Sequence, residues 1–414
     1  MKQRNYAAVF LVLLTFFVIS FMTNIIGPIT PDIIKGFNLS LVLVALLPFA
    51  FFIAYGLVSL PTGILMEKYS PKLIMAAAFV LSLAGSLLLA FFPNYLTAII
   101  SLFLIGAGMA MLQVIINPLL RIAGGEENYA FTSVLAQLIF GLASFVSPLV
   151  YSYLVLNVGN PDSAASVVFA MTPTAFPWIS IYFLFAAISI AMILVTLSFR
   201  LPKMELKNDE KTGSLQTYAR MIKQPLVIAF FFGIFCYVGT EQVIANWMSQ
   251  YLNVYYGYDP QTTGARAVAY FWGLMTAGGA LGLVMVKIMD SRKVLVIFTL
   301  LAILSLTAAL LLPGKVALIA LPLTGFFASV MYPIIISLAL NSVTQNHGAF
   351  AGILLTGITG GAVLPLITGW IGDNWGLKAG YCFLYLTMGY ILSVGLWAKP
   401  LVTNKTVRIF KKKS

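Results

Sequence analysis

Residues 200–224, RLPKMELKNDEKTGSLQTYARMIKQ, form the one long polar connection in a chain of 414 residues. Mixed charge and little apolar content mark a solvated linker. Working outward from it, six long apolar runs precede the linker and six follow. A helix needs about 20 apolar residues to cross a hydrocarbon core. Twelve segments are that long: roughly 6–30, 41–66, 73–93, 96–121, 130–156, 177–199, 225–255, 266–288, 294–312, 316–341, 350–372 and 381–398. In lipid every backbone N–H and C=O must be paired inside its own segment, so each reads as a helix. The expected fold is an all-α membrane protein of twelve transmembrane helices in two six-helix, pseudo-symmetric halves. Residues 1–199 and 225–399 are the halves, 200–224 the cytoplasmic linker and 400–414 a basic cytoplasmic tail. Segment 157–176 is a longer loop between spans 5 and 6.

Composition agrees. Asp, Glu, Lys and Arg make up 9% of the chain, against about 25% in soluble domains, and the mean hydropathy is +0.99. Such a surface is stable only with lipid as its solvent. The net charge of +12 is spread in short basic clusters between apolar runs, which suits a membrane's inner face better than a nucleic acid. With the N-terminus inside, only Lys35, Arg266, Lys315 and Lys378 of the 24 basic residues fall outside. The positive-inside rule therefore puts both termini in the cytoplasm of a cell whose inner membrane the chain spans many times. The first apolar run, Tyr6 to Ile29, exceeds the roughly 7–15 residues of a signal peptide's core and reads as a span.

The reactive residues are few. Cys236 and Cys382 lie inside apolar runs and His347 is the one histidine. They offer no disulfide framework and no metal site. No GxxxxGK[ST] loop is present to drive transport with ATP. An enzyme would need a metal cluster, paired carboxylates or a nucleophile–base set, and no cofactor is expected.

The two halves echo each other. GILMEKYSPKL from Gly63 is matched 219 residues later by GLVMVKIMDSRKVL from Gly282. Pro118 pairs with Pro333 at 215, and Pro148 with Pro365 at 217. A nearly constant offset is the mark of a parallel internal repeat, whose solute site lies between the repeats near the midplane.

At the 63–73 loop the chain resembles the major facilitator superfamily: a glycine, an acid four residues on, then two bases. Glu67, Lys68 and Lys72 would form the family's conformational latch, with Ser70 at a position where the signature has glycine. Within the superfamily the chain is similar to the fucose–galactose–glucose symporter (L-fucose permease) family. The resemblance rests on TNIIGP at 23–28, QVIINP at 113–118, LAQ at 135–137, YVG at 237–239, the stretch from Ser329 to Leu338 and TGITGG at 356–361. It implies a sugar site and ion symport. Asn24 and Gln113 stand where that family has carboxylates, Phe140 where it has asparagine and Gly279 where it has arginine. Amides bond sugar hydroxyls but do not exchange a proton near neutral pH.

Among the acids, only Glu241 lies well inside an expected span, 16 residues from Pro225. That is about 24 Å at 1.5 Å per residue, in the outer half of a core about 30 Å thick. A carboxyl at depth generally marks a transport path; the other reading is a wetted structural acid. Gln242 and Asn246 share a helix face, as do Gln113 and Asn117, and Gln137 faces the latter pair if the family arrangement holds. These amides, with Asn24 and the rings of Trp247, Trp272 and Tyr332, are the candidate sugar contacts. Interhelical amides also serve as packing glue. The expected function is transport of a hexose-like sugar by alternating access, as a monomer in the bilayer, with sodium or proton as coupling ion through Glu241. The alternatives are an exporter of drugs or other amphiphiles, or an uncoupled sugar facilitator.

The orientation is checked by fusing reporters to both ends. Each should be active only in its cytoplasmic form, and opposite signals from the two ends would exclude an even number of spans.

Overall fold

The computed structural model describes residues 5–125, 129–163, 165–199, 201–202 and 215–401. It is all-helical among them. Twelve helices are long and apolar enough to cross a bilayer: spans 1 to 6 are Tyr6–Phe37, Leu41–Met66, Pro71–Phe91, Tyr95–Gly124, Phe131–Leu156 and Pro177–Ser198. Spans 7 to 12 are Pro225–Tyr256, Pro260–Ile288, Ser291–Leu311, Gly314–Leu340, Ala349–Trp375 and Leu377–Trp397. Span 1 continues past its expected end to Phe37, and span 8 starts earlier, at Pro260.

Local chemistry explains the boundaries. The side chain of Ser70 accepts from the Leu73 amide with Pro71 at the first helical position, so the turn that the missing glycine put in doubt is made by an N-cap instead. Asn94 and Thr97 form a capping box at the start of span 4. Asp259 accepts from the Gln261 amide and the Thr262 hydroxyl, which opens span 8 with a π-helical turn at Pro260–Gly264.

Span 1 is broken at Asn24–Ile25. Pro28 has no N–H to bond the Asn24 carbonyl, and its ring crowds that oxygen. Span 10 breaks in the same way at Ser329–Val330, four residues before Pro333. Nearby in span 1, the Phe21 carbonyl accepts from the Ser147 hydroxyl of span 5 at 2.7 Å. In lipid such a partner is what makes a break tolerable.

The even number of crossings puts both described chain ends on one face, here the terminal face. The Asn5 amide bonds the Ala123 carbonyl there, and the Leu401 amide the Asn341 carbonyl. The end of the linker is more than a tether on this face. Leu215–Ile222 is a short helix with Met221 buried and Tyr218 lying against Gly352 of span 11. Segment 157–176 carries one helical turn among its described residues, Ser166–Phe169, and ends with the Phe176 ring tilted against Phe37, centroids 5.5 Å apart.

The halves meet along spans 2 and 11, spans 5 and 8, and spans 1 and 7. Small residues allow the approach. A side chain on Gly27 would come within 2.2 Å of the Ala245 carbonyl, and one on Gly361 within 3.2 Å of the Phe52 ring. At the far face two carboxylates join the halves. Asp373 of span 11 accepts from the Leu41 and Val42 amides that open span 2, both at 2.8 Å. Asp32 of span 1 accepts from the Gln261 amide group of span 8 at 2.9 Å and from the Tyr151 hydroxyl of span 5. Toward the terminal face, spans 4 and 10 make no extensive contact, and a side chain on Gly279 would meet open space. The molecule is closed at the far face and parted at the terminal face.

A hydrogen bond to a charged group is worth about 1.5–3 kcal/mol, and exposure at the Asp373 clamp reduces this to about 1 kcal/mol. Asp373→Ala should therefore raise the far-open population about fivefold. Distances between spin labels on spans 2 and 11 at the far face read this out, and an unchanged distribution would show that the clamp carries no closing energy.

Candidate functional site

Span 7 runs 32 residues, about 48 Å at 1.5 Å per residue, more than a bilayer core requires. Glu241 lies at its middle, 16 residues after Pro225 and 15 before Tyr256. The Tyr237 hydroxyl donates to Glu241 Oε2 at 2.5 Å, and Gln242 Nε2 donates to Oε1 at 3.1 Å. Glu241 is half-buried while Tyr237 is buried. The Tyr237 ring packs against Tyr332 of span 10 with centroids 5.8 Å apart. The acid, its phenol donor and the Tyr332 ring thus form one continuous unit.

Gln242 and Asn246 are buried on the face that meets the first half. The Gln242 stem lies beside Gly361, and the Asn246 backbone beside Gly27. The side-chain nitrogens of Asn246, Trp247 and Trp272 are buried without a hydrogen-bond partner. Buried donors of that kind are costly and are satisfied by water or by a ligand. Trp247, only 1% exposed, is the most enclosed of the three.

In span 4 Gln113 is half-buried and Asn117 exposed, with Asn117 Nδ2 donating to the Gln113 carbonyl at 3.4 Å. Gln137 of span 5 is exposed. Both lie in the part of their spans nearer the terminal face, where the halves part. Asn24 is different. It is 5% exposed, and its amide donates to the Ser144 hydroxyl at 2.8 Å and the Ser20 hydroxyl at 3.3 Å. In this conformation it ties span 1 to span 5.

The expected latch falls out unevenly. The Glu67 side chain lies outside the described residues, and Lys68 is exposed. Lys72 Nζ donates to the Leu197 carbonyl at the end of span 6, within its own half. Its counterpart is Arg292 at the start of span 9, which reaches the Ala398 carbonyl after span 12 at 3.3 Å and pairs with Asp290 at 3.2 Å. Bases favour helix C-termini, where carbonyls are free. Burial pushes the Asp290 carboxyl up, but hydrogen bonds from Arg292 outweigh it and hold the group below its ordinary value.

Three polar elements were not foreseen. Tyr237 is four residues from Glu241, a spacing that places both on one face. Asp32 belongs to span 1, because that helix outlasts its apolar run; Glu241 is thus not alone among the acids within a span. Asp373 acts across the halves although it sits at a helix end. A recess of about 390 Å³ between spans 2 and 4, lined by Leu46, Phe49, Ile53, Ile100 and Phe103 among others, is apolar and includes none of the candidate residues.

Twelve spans in two halves, parted on one face around polar groups at mid-helix, define a carrier fold that exposes one face at a time. The family model of the Major Facilitator Superfamily matches residues 12–364 and 230–408, and the chain belongs to that superfamily. It is 28% identical over 405 residues to the glucose/galactose transporter of Brucella abortus, covering 95% of each chain. The crystal structure of the Escherichia coli fucose:proton symporter superposes with a TM-score of 0.68 at 23% identity, covering 96% of this chain and all of that one. An inward-facing bacterial homologue of the lysosomal transporter Spinster superposes with a TM-score of 0.79 at 14% identity, covering 96% and 98%.

Proposed function

We propose that the protein is a secondary transporter that carries a hexose-like monosaccharide by alternating access, with a proton or sodium coupled through Glu241. The observation that carries this reading is the half-buried carboxylate at the middle of span 7. It is held by Tyr237 and Gln242 beside the Tyr332 ring, in a molecule sealed at one face. The positive-inside distribution makes the terminal face cytoplasmic, so the arrangement described is inward-facing. The names of the relatives support a sugar as the solute, in particular the glucose/galactose transporter.

The chemistry fits a sugar. Hydroxyls need donors and acceptors side by side, which amides supply without charge. Gln113, Asn117 and Gln137 stand at the parted side, while Gln242 and Asn246 line the seam with the first half. The unpartnered nitrogens of Asn246 and Trp272 are donors awaiting oxygen acceptors, and Tyr332 offers a ring face to the sugar's C–H surface. Glu241 supplies what amides lack. Enclosure favours a carboxyl's neutral form and water its charged form, so a group that alternates between the two carries a proton. Its oxygens, with neighbouring amide oxygens, would equally hold sodium.

Gln113→Ala and Gln137→Ala should each weaken sugar binding about two- to hundredfold. A hydrogen bond is worth about 0.5–1.5 kcal/mol net, and a buried group left unpaired costs about 1–3 kcal/mol, at about 1.4 kcal/mol per tenfold. Titration calorimetry with glucose, galactose and fucose measures this; full affinity in both variants would assign these amides to helix packing.

Glu241→Gln should abolish accumulation driven by an imposed ion gradient in proteoliposomes and spare sugar exchange without a gradient. If binding and exchange fall together, Glu241 is a sugar ligand and not the coupling group.

A further inference from the structure

Two hydrogens are aimed at Glu241. The Tyr237 hydroxyl has one to give, and it is committed to Glu241 Oε2 at 2.5 Å. Gln242 Nε2 commits another to Oε1 at 3.1 Å. A proton arriving on either oxygen displaces the donor there, and the two donors do not yield equally. The Gln242 stem is lodged beside Gly361, where an added side chain would come within 3.1 Å of it. The Tyr237 hydroxyl turns about its C–O bond without moving the ring. A proton therefore goes to Oε2, and Tyr237 changes from donor to acceptor with its own O–H bond intact. The turned hydroxyl points its hydrogen away from Glu241. Tyr237 is only 5% exposed, and a donor left unpaired in such a place is costly. Beside it lies the Tyr332 ring, with centroids 5.8 Å apart, at the start of the second helical segment of span 10, Met331–Leu340. That is the ring on which the sugar's C–H surface is proposed to rest.

We infer that Tyr237 is a hydrogen-bond relay that ties sugar affinity to a proton on Glu241. The inference rests on the reading of Glu241 as the coupling group, and adds to it the ion and the residue that passes its binding on to the sugar. With Glu241 charged, Tyr237 directs its hydrogen at the carboxylate. With Glu241 neutral, the same hydrogen is offered to a sugar hydroxyl lying on Tyr332. Proton and sugar thus favour each other's binding, by the same factor in both directions. Sodium does not work this switch, because on the carboxylate it would have to turn away both donors, the lodged Gln242 amide included. The titratable groups that face Glu241 are Tyr237 on its own span and Tyr332 on span 10. The tyrosines of span 12 that reach span 7, Tyr381 and Tyr390, donate to its backbone carbonyls instead. Among the described side chains, the charged groups on the other elements packed against span 7 lie toward its ends. Asp32, Lys35, Arg266, Lys315, Asp373 and Lys378 are toward the far face, and Arg220 and Lys287 toward the terminal face.

The test is titration calorimetry with glucose and galactose over a series of pH values, on wild type, Tyr237→Phe and Glu241→Gln. The phenyl ring keeps the packing against Tyr332 and removes only the hydroxyl. Wild type should bind the sugar about two- to tenfold more tightly in acid than in alkaline buffer, the worth of one hydrogen bond. Sodium at fixed pH should change nothing. Tyr237→Phe should bind at every pH with the affinity that wild type has in alkaline buffer. A pH dependence that survives in Tyr237→Phe, or one that sodium reproduces, overturns the relay and leaves Glu241 as the coupling group. So does a wild-type affinity that ignores pH while Glu241→Gln has lost accumulation in proteoliposomes. If Glu241→Gln accumulates sugar as wild type does, both readings fall. Should Tyr237→Phe fail to fold, wild type alone decides. Glucose added to the weakly buffered protein, at a pH on the slope of the dependence, should draw protons from the medium, and an unmoved pH overturns the inference.

Discussion

An unpaired backbone N–H or C=O in hydrocarbon costs several kcal/mol, and the architecture follows from that cost. It makes every apolar run a helix, and it decides where a helix is allowed to break. Spans 1 and 10 break four residues before Pro28 and Pro333, where proline has already removed a donor. Near the break in span 1 the Ser147 hydroxyl takes up the Phe21 carbonyl. The break in span 1 lies where another helix supplies a hydroxyl, on a span that meets the second half along span 7.

The same cost governs the acids. Each carboxylate described inside the bundle or across its seam has donors aimed at it: Tyr151 and Gln261 at Asp32, Tyr237 and Gln242 at Glu241, two amides of span 2 at Asp373. What differs is which bodies the donors come from. The donors to Glu241 belong to its own helix, so its hydrogen bonds survive any movement of one half against the other. Asp373 takes its donors from the opposite half, and Asp32 takes one of its two, so these bonds must break when the far face opens. Glu241 is therefore suited to change its surroundings without losing its partners, and the other two are suited to hold one conformation.

Much of this was legible in the chain. Length and hydropathy are enough to place twelve spans, because hydrocarbon thickness sets the period and charge is excluded. Pro118 with Pro333 and Pro148 with Pro365 reveal the repeat for the same reason: a proline in a lipid-bound helix needs a compensating neighbour and so marks a fixed structural position. The ends of spans were less legible. Asp32 looked like a loop acid because hydropathy falls after Ile29, yet the helix runs on to Phe37 as an amphipathic extension against spans 5 and 8. Lys72 is assigned to a latch by the resemblance of its loop to the family signature, and the packing of span 6 adds what that could not give, its bond to the Leu197 carbonyl. Asp373 could not be assigned a partner from sequence at all, since its donors are backbone amides more than 330 residues away.

A carrier must also avoid being too stable in either state, and the two sides of the seam show how. Near mid-membrane the halves touch through glycines, Gly27 on Ala245 and Gly361 on Phe52. Contacts of that kind have no directional bond to break and part by separation alone. The directional bonds lie at the far face, where Leu41, Val42 and Asp373 are reached by water, and water replaces each broken bond at little net cost. Were the same carboxylate clamps placed at mid-membrane, opening would leave buried charges unpaired at several kcal/mol, and the molecule would be locked. The placement of strong polar contacts at the rim and apolar close contacts at the centre is what keeps the two states close in energy.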